Sequence, residues 1–232
     1  MMGLFITGTD TEIGKTTVAA ALALFIRRSG ADVGVMKPFA TGRTVFSRKY
    51  KSKDSAILAE AAEVKDPDRE INPFFYSVPT APFTAAKIKL QKEPSLAYAL
   101  RICQKLADKH GFMIVEGIGG VMVPLTKDEC VIHFAQLLGL PTIVVAGPEL
   151  GTINHTLLTV KICNDFGLNL LGIIINGMPA KTSLLKKETV ETIRELGKVR
   201  ILSVIPLIKK STLKNVSYIL ENDLDVNKIL RN

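Results

Sequence analysis

The sequence is poor in aromatic residues, and this shortage narrows the classes of function. Its 232 residues include no tryptophan, and aromatic residues make up only 6% of the chain. A platform that stacks the bases of single-stranded nucleic acid needs several exposed rings, so the composition argues against that role. The net charge of +8 suits either nucleic acid or an anionic small molecule, and charge alone does not choose between them.

Cysteine and long apolar runs are also scarce. Cys103, Cys130 and Cys163 are far apart and show no metal-binding spacing. Each lies among apolar residues, which predicts small core thiols in a reducing compartment. No apolar run reaches the roughly 20 residues that a membrane-spanning helix needs, and the N-terminal stretch lacks the basic start of a secretory signal. We therefore expect a soluble, cytoplasmic protein with no membrane partner.

Short β-branched runs alternate with helical stretches along the chain. The predicted strands are 4–7, 32–38, 112–117, 142–147, 170–176 and 201–206, and the predicted helices are 15–29, 53–64, 94–109, 130–138, 152–166 and 183–196. Strands that are apolar throughout are buried on both faces, so the alternation predicts an α/β fold with a doubly wound, mainly parallel sheet flanked by helices. The absence of repeats and linkers predicts a single domain of the P-loop NTPase type over residues 1–232.

The stretch GTDTEIGKTT, residues 8–17, lies between the first predicted strand and helix and resembles a phosphate-binding loop. The strict pattern has four residues between its first glycine and the Gly-Lys pair. Here five residues separate Gly8 from Gly14, and they include the charged residues Asp10 and Glu12. The strand–loop–helix context still favours a site in which backbone N–H groups and the helix N-terminus cradle a triphosphate.

Side chains in and beyond this loop predict phosphoryl-transfer chemistry. Lys15 can reach the β- and γ-phosphates, and the Thr16 hydroxyl can ligate Mg²⁺. Glu116 follows a buried strand, where it is either a second Mg²⁺ ligand or a helix cap or surface acid. Asp54 begins a helix and is either a functional carboxylate or an N-cap. Lys37 precedes Pro38 and either neutralises a transferred phosphoryl group or is an ordinary solvated lysine.

Five motifs occur together: GTDTEIGKT (8–16), KPFATG (37–42), KDSA (53–56), VEGIGGVMVPL (115–125) and LGTINHTLLT (150–159). With them the sequence closely resembles the dethiobiotin synthetase family along nearly its whole length. The resemblance implies an ATP-dependent cyclo-ligase of biotin biosynthesis that joins CO₂ to 7,8-diaminononanoate. An amine forms a carbamate, ATP phosphorylates it to a mixed anhydride, and the second amine closes the ring to give dethiobiotin, ADP and phosphate.

The resemblance also implies a set of site residues. The implied catalytic residues are Lys15, Lys37, Thr11 and Thr41, the last standing where many members have serine. The implied Mg²⁺ ligands are Thr16, Asp54 and Glu116. The implied nucleotide-binding residues are Glu12, Ile13, Gly14, Lys15, Thr16, Thr17, Asn176, Pro206 and Leu207. The implied substrate-binding residues are Glu12, Lys37, Thr41, Gly151, Thr152, Ile153 and Asn154.

Two of these assignments go beyond what the residues predict alone. By itself, the run from Gly151 to Asn154 indicates either an anion site or an ordinary helix start. In the family this helix start binds the substrate carboxylate across a two-fold interface, which implies a homodimer. Glu12 suggests a hypothesis for the longer loop, namely that its carboxylate serves the cationic diamine while the backbone serves the triphosphate.

The sequence departs from the family pattern at two positions. Phe83 stands where the family often has histidine, and His133 stands where many members have aspartate. We expect His133 to be a helix-surface or core residue, because no nucleophile or metal spacing surrounds it. The acid-free segment RTVFSRKYKSK, 43–53, has three interpretations: a mobile solvated loop, an electrostatic collar for ATP and carbamate, or an RNA-binding segment with Tyr50 and Phe46 as its aromatic residues.

Three other functions compete with the ligase. A partitioning or cell-division ATPase would carry a lysine early in the loop, where this chain has Asp10. A cobyrinate-type amidating synthase would need a further glutaminase domain, for which 232 residues leave no room. A basic nucleic-acid-binding module has only the net charge in its favour. The motifs therefore favour the ligase, with ATP as co-substrate and no nucleic acid partner.

Overall fold

The computed structural model describes residues 1–208 and 212–223. The strands are β1 (Gly3–Gly8), β2 (Val33–Met36), β3 (Phe39–Thr41), β4 (Phe74–Tyr76), β5 (Phe112–Gly120), β6 (Thr142–Ala146), β7 (Leu170–Met178) and β8 (Ile201–Pro206). The helices are α1 (Lys15–Arg28), α2 (Lys53–Ala62), α3 (Asp68–Ile71), α4 (Pro82–Lys89), α5 (Leu96–Ala107), α6 (Val131–Leu138), α7 (Thr152–Asp165), α8 (Leu184–Gly197) and α9 (Leu213–Asn222).

The main sheet is parallel throughout and confirms the predicted fold class. Over the described residues its strand order is β2-β5-β1-β6-β7-β8. The first strand, β1, pairs with β5 on one side and with β6 on the other, so the direction in which strands are added to the sheet reverses at β1. Ligands in such sheets bind at the carboxyl ends of the strands next to this reversal. The phosphate-binding loop leaves β1 at that point.

Helices cover both faces of this sheet. On one face, α1, α2 and α9 pack against alternate side chains of the strands, including Leu4, Ile6 and Ile114. On the other face, Phe5 and Val115 pack with α5 and α6, while α7 and α8 cover the part of the sheet around β7. The two layers explain why the strands are apolar on both faces.

Several elements were not predicted. A separate pair of short parallel strands, β3 and β4, follows the turn after Lys37 and carries Thr41 at its end. The short helix α3 and the helices α4 and α9 were also missed. The predicted second strand, 32–38, was too long, because β2 ends at Met36. The predicted ends of β5 and β7 were too early, because β5 continues past Gly117 to Gly120 and β7 continues past Asn176 to Met178. The predicted strands stopped early because glycines occur near these ends. In the structure, pairing of Gly8 with Gly120 continues the ladder between β1 and β5.

The cysteine prediction is confirmed for two of the three thiols. Cys103 and Cys163 are buried, and burial raises the pKa of each to about 12. Cys130 is only partly buried and lies directly before α6. Within the described residues, no helix combines the length and the apolar character needed to cross a bilayer.

Candidate phosphoryl-transfer site

A cleft of about 560 Å³ lies at the carboxyl edge of the sheet. Residues far apart in the sequence meet there, because the loops after β1, β2 and β5 and the start of α2 all reach this edge. The predicted site residues that line the cleft are Thr11, Glu12, Gly14, Lys15, Thr16, Thr17, Lys37, Thr41, Asp54 and Glu116. The structure therefore brings together all four predicted catalytic residues and all three predicted metal ligands.

The loop before α1 contains two residues with positive φ. Gly14 has φ 92°, in the left-handed region, and a Cβ added there would lie 2.1 Å from the Asn176 side-chain nitrogen. That nitrogen donates to the Ile13 carbonyl at 2.8 Å, so Asn176 ties the loop to β7. Glu12 also has positive φ, 55°, which is unusual for a residue with a side chain. Strained backbone of this kind is commonly retained at ligand-binding sites.

Lys15 is buried beneath this loop, and its ammonium loses its proton more readily than that of an exposed lysine. Its ammonium donates to the carbonyl oxygen of Asp10, which lies between Gly8 and Gly14 in the loop. Burial, together with the nearby positive charge of Lys37, lowers the pKa of Lys15 to about 8. A triphosphate would offset both effects, so this lysine is suited to an anionic ligand.

Lys37 lies at the centre of the site and is buried, which rules out the solvated-lysine interpretation. Its ammonium is 2.5 Å from Glu116 Oε1 and 3.0 Å from Asp54 Oδ2, and it donates to the Gly117 carbonyl at 2.8 Å. Burial opposes the charged form, but Asp54 and Glu116 outweigh it and raise the pKa of Lys37. The same contacts lower the pKa of Asp54 against its own burial. Lys37 is therefore a permanent cation near neutral pH.

Neighbouring backbone holds Lys37 in place. Its N–H donates to the Ile71 carbonyl at 2.8 Å, and its carbonyl accepts from the buried Asn72 side chain at 2.7 Å. The same Asn72 amide also donates to the Phe74 carbonyl at 3.2 Å. Asn72 is therefore a positioning residue that the sequence interpretation missed. The Asn72-Pro73 pair was the available signal in the sequence, but only the tertiary structure shows that Asn72 is buried and which backbone groups it contacts.

The structure also decides between the two interpretations of Asp54. The N-cap of α2 is Ser52, whose hydroxyl accepts from the Asp54 backbone N–H at 3.1 Å. The Asp54 carboxylate is consequently free of capping and points to Lys37. Glu116 is neither a cap nor a surface acid, because it is fully buried within β5.

The donor set fits a magnesium ion. The Thr16 hydroxyl donates to Glu116 Oε1 at 2.9 Å, and Asp54 meets the same lysine as Glu116. The second carboxylate oxygen, Glu116 Oε2, is buried without a hydrogen-bond partner among the described residues. The described residues include no group of three or more His, Cys, Asp or Glu side chains able to hold a metal. Two carboxylates and a hydroxyl suit Mg²⁺, which keeps water and phosphate oxygens among its ligands.

Other predicted residues lie outside the lining of this cleft. Gly151 to Asn154 form the start of α7, where the Thr152 hydroxyl donates to the Gly147 carbonyl at 2.5 Å. Pro206 ends β8, and the exposed Leu207 follows it beside Met178 of β7. These groups follow other strands of the same sheet and are not part of the cleft lining.

Several cleft residues were not predicted. They are Ala40, Lys53, Ile57, Pro79, Thr80, Ala81, Ile118, Gly119 and Val123. Lys53 and Ile57 are four residues apart on α2, and this helical spacing was the available signal. Ala40 lies in β3, and Ile118 and Gly119 lie in the part of β5 that was not predicted. The others lie in connecting segments whose path depends on packing.

The two departures from the family pattern have local explanations. Phe83 lies in the first turn of α4, just after the cleft residue Ala81, and the Lys87 ammonium is 5.1 Å from its ring centroid. His133 lies in the first turn of α6, where its ring accepts from the Cys130 backbone N–H at 2.9 Å and packs edge-on against Phe166. His133 therefore caps a helix.

The basic segment 43–53 forms a closed turn. The Phe46 N–H donates to the Lys51 carbonyl and the Ser47 N–H donates to the Tyr50 carbonyl, both at 2.9 Å. Tyr50 is buried against Ala59 and Ile71, so its ring is not available to stack on a base. This burial weakens the RNA-binding interpretation.

Comparison with known proteins identifies the family. Residues 2–215 match the family model described as an AAA domain. An ATP-dependent dethiobiotin synthetase from Nitrosopumilus maritimus is 37% identical over 236 residues, covering 100% of this chain and 100% of that protein. The chain belongs to the dethiobiotin synthetase family. A synthetase of the same name from Bacillus subtilis strain 168 is 37% identical over 230 residues, covering 99% of this chain and 98% of the relative.

Solved structures support the fold of this dethiobiotin synthetase family member. The MinD cell division protein of Aquifex aeolicus superposes with a TM-score of 0.56 at 15% identity, covering 94% of this chain and 86% of that chain. A ParA family ATPase from Chlorobium tepidum gives 0.51 at 17% identity, covering 99% and 93%. At these identities the likeness shows the fold alone, and the sequence relatives favour the ligase over the nucleotide-switch alternative.

Proposed function

We propose that this chain catalyses the reaction of its family, the ATP-dependent carboxylation and ring closure of 7,8-diaminononanoate to dethiobiotin. The observation that carries the proposal is the buried cation of Lys37, held between Asp54 and Glu116 beside a phosphate-binding loop. This arrangement supports phosphoryl transfer to an anionic acceptor, because fixed positive charge is needed where two negative groups meet.

The residues of the cleft have distinct roles in the proposed reaction. One amine of the substrate attacks CO₂ and loses a proton, giving a carbamate. Lys37 and Lys15 neutralise the carbamate oxygen and the γ-phosphate as the phosphoryl group passes to the carbamate and ADP leaves. The second amine then attacks the carbamoyl carbon, expels phosphate and loses a proton. Thr11 and Thr41, which line the cleft, hold the substrate during these steps.

A magnesium ion would be held by Thr16, Asp54 and Glu116. When bound, it supplies positive charge to the phosphate oxygens. The start of α7, from Gly151 to Asn154, would bind the substrate carboxylate, because helix N-termini carry free N–H groups. As implied by the family, that helix would come from the partner subunit of a homodimer, and the enzyme would work in the cytoplasm.

The proposed nucleotide site has separate residues for the triphosphate and for the base. The loop from Glu12 to Thr17 binds the triphosphate, and Asn176, Pro206 and Leu207 hold the base. Exposed Leu207 lies near Gly177 at the end of β7, where it offers an apolar surface to a ring.

Glu12 is proposed to serve the amine side of the substrate. Its side chain is exposed at the cleft, and its positive φ projects it from the loop whose backbone faces the phosphates. The substitution Glu12→Gln should weaken binding of the diamine more than binding of ATP. Equal loss for both ligands, measured by titration calorimetry, would contradict this role.

Product analysis tests the proposed function directly. The purified protein is incubated with 7,8-diaminononanoate, labelled bicarbonate, ATP and Mg²⁺, and the product is examined by mass spectrometry. The expected product is dethiobiotin with the label in its ureido carbon, and its formation should be abolished by Lys15→Ala or Lys37→Ala. Hydrolysis of ATP without labelled dethiobiotin would refute the proposed substrate while leaving the phosphate site intact.

A further inference from the structure

The lysines of the cleft differ in whether their ammonium groups already have partners within the protein. Among the described residues that line it, Lys37 is paired with Asp54 and Glu116, and Lys15 donates to the Asp10 carbonyl. Lys53 also lines the cleft but is exposed, and its ammonium forms no ion pair with any residue that the structure describes. Its charge is therefore available to a ligand.

The position of Lys53 places that charge at the phosphoryl-transfer end of the cleft. Lys53 is the first residue of α2, directly before Asp54, whose carboxylate meets Lys37. One helical turn later, Ile57 lines the same cleft, so this face of the first turn is directed toward the ligand space. Asn176 and Leu207, the residues assigned to the base, lie outside the cleft lining among the described residues.

We propose that Lys53 is a further nucleotide-binding residue, which pairs with the terminal phosphate of ATP. The inference rests on the proposed function only in taking ATP as the ligand. An exposed lysine on a flexible stem contacts the phosphate before and during transfer alike. Such uniform binding lowers KM without changing kcat, which distinguishes Lys53 from the buried Lys37.

The rest of the basic segment 43–53 does not line the cleft. Its turn is closed by the backbone bonds between Phe46 and Lys51, and Tyr50 is anchored in the core. Lys51 is exposed two residues before Lys53 but is not part of the cleft lining. At physiological salt the field of the exposed Lys51 charge decays over about 8 Å, so from outside the cleft it can steer an anion without binding it. Lys51→Gln is therefore a matched control for Lys53→Gln.

The test is calorimetric titration of the full chain with ATP and with ADP, without the diamine. For Lys53→Gln we expect the Kd of ATP to rise by about 3- to 5-fold at physiological salt, the upper part of the range for a single exposed charge pair. The Kd of ADP should change by less than about 2-fold, because ADP lacks the terminal phosphate. Lys53→Arg should restore the affinity for ATP, and Lys51→Gln should leave both nucleotides close to the wild type.

Two results would overturn the proposal. If Lys53→Gln and Lys51→Gln weaken ATP alike, Lys53 contributes only to the general field of the basic segment. If Lys53→Gln weakens ATP and ADP equally, its charge does not meet the terminal phosphate. The assay needs no product, so a failure to form dethiobiotin would refute the proposed reaction and leave the result for Lys53 standing.

Discussion

At the scale of single residues, the burial of Lys37 between two carboxylates is the central feature of the site. The ammonium and the Glu116 carboxylate are both almost fully buried, and Asp54 closes the group from the cleft side. Breaking a buried pair by removing one partner costs about 3–5 kcal/mol, because an uncompensated charge is left behind. Lys37 should therefore affect both stability and catalysis, and the two effects can be separated.

The first prediction concerns Lys37→Met, which keeps an unbranched side chain of nearly the same length and removes its charge. We expect kcat to fall by about 100- to 1,000-fold, because fixed charge at the transferred group is lost. The free energy of unfolding should also fall, by about 3 kcal/mol or more, because Glu116 is left buried and unpaired. Denaturant unfolding and steady-state kinetics measure the two losses.

The double variant Lys37→Met/Glu116→Gln is the control for this prediction. Removing the second charge should recover most of the lost stability but none of the activity. If the double variant is as unstable as the single one, the charge pair is not what Lys37 contributes to the fold.

The second prediction concerns pH and Lys15, whose pKa burial lowers to about 8 from the ordinary value of 10.5. In the free protein the folded state releases this proton more readily than the unfolded chain. This group alone therefore makes the free protein more stable as the pH rises from about 8 toward 10.5. Bound triphosphate favours the charged lysine, so ATP binding near pH 8 should take up a proton.

Calorimetric titration in two buffers with different ionisation enthalpies measures that proton uptake. Lys15→Arg is the control, because arginine stays charged throughout and cannot take up a proton. Equal uptake by the wild type and Lys15→Arg would show that the proton comes from another group.

At the scale of elements, the join between β1 and α1 depends on the glycine that precedes the helix. Gly14 and Gly30 both have positive φ, 92° and 86°, but only Gly14 faces a close neighbour, the Asn176 side chain. A Cβ at Gly30 would meet nothing within 4 Å. Substitutions at these two glycines therefore separate the stability cost of backbone strain from the effect of a changed loop shape on ATP binding.

The third prediction compares Gly14→Ala with Gly30→Ala. Each substitution should cost about 1–2 kcal/mol of stability, because alanine is strained at positive φ. Only Gly14→Ala should abolish ATP binding, since its methyl group must displace Asn176 and the loop that Asn176 holds. Thermal unfolding and ATP titration give the two measurements, and normal ATP affinity in Gly14→Ala would contradict the assigned loop geometry.

The elements that sequence patterns predicted are those whose signals are local. The predicted bounds of α1, α6 and α7 differ from those of the structure by one residue at one end. The missed elements β3 and β4 have three residues each and exist because they pair with each other. Their formation depends on a contact across more than thirty positions, from Thr41 to Tyr76, which no local pattern contains.

At the scale of the whole molecule, the proposed homodimer makes the start of α7 part of the neighbouring site. Asn154 is exposed in the first turn of α7, where an acidic residue is compatible with the helix but repels a carboxylate ligand. The fourth prediction is that Asn154→Asp raises KM for the diamine and leaves the Kd of ATP unchanged.

Mixing subunits then tests whether the site is shared. Lys37→Met and Asn154→Asp, mixed and allowed to exchange, should form hybrids with one intact site when the two residues act on the same substrate from different subunits. Assayed at a low diamine concentration at which the Asn154→Asp parent is nearly inactive, the activity should exceed that of both parents and approach about a quarter of the wild-type value at equal amounts. Activity no greater than the average of the parents would place both residues in one subunit's site.

The sequence alone determined the six strands of the main parallel sheet, six of the helices between them, the phosphate-binding loop and the family resemblance. These follow from residue periodicity, glycine placement and motifs that are continuous in the chain. Only the tertiary structure decided that Ser52 caps α2, that Asp54 instead meets Lys37, and that Lys53 lines the cleft. The reason is physical: Lys37 and Glu116 are 79 positions apart, and their burial and charge depend on strands brought into register by packing.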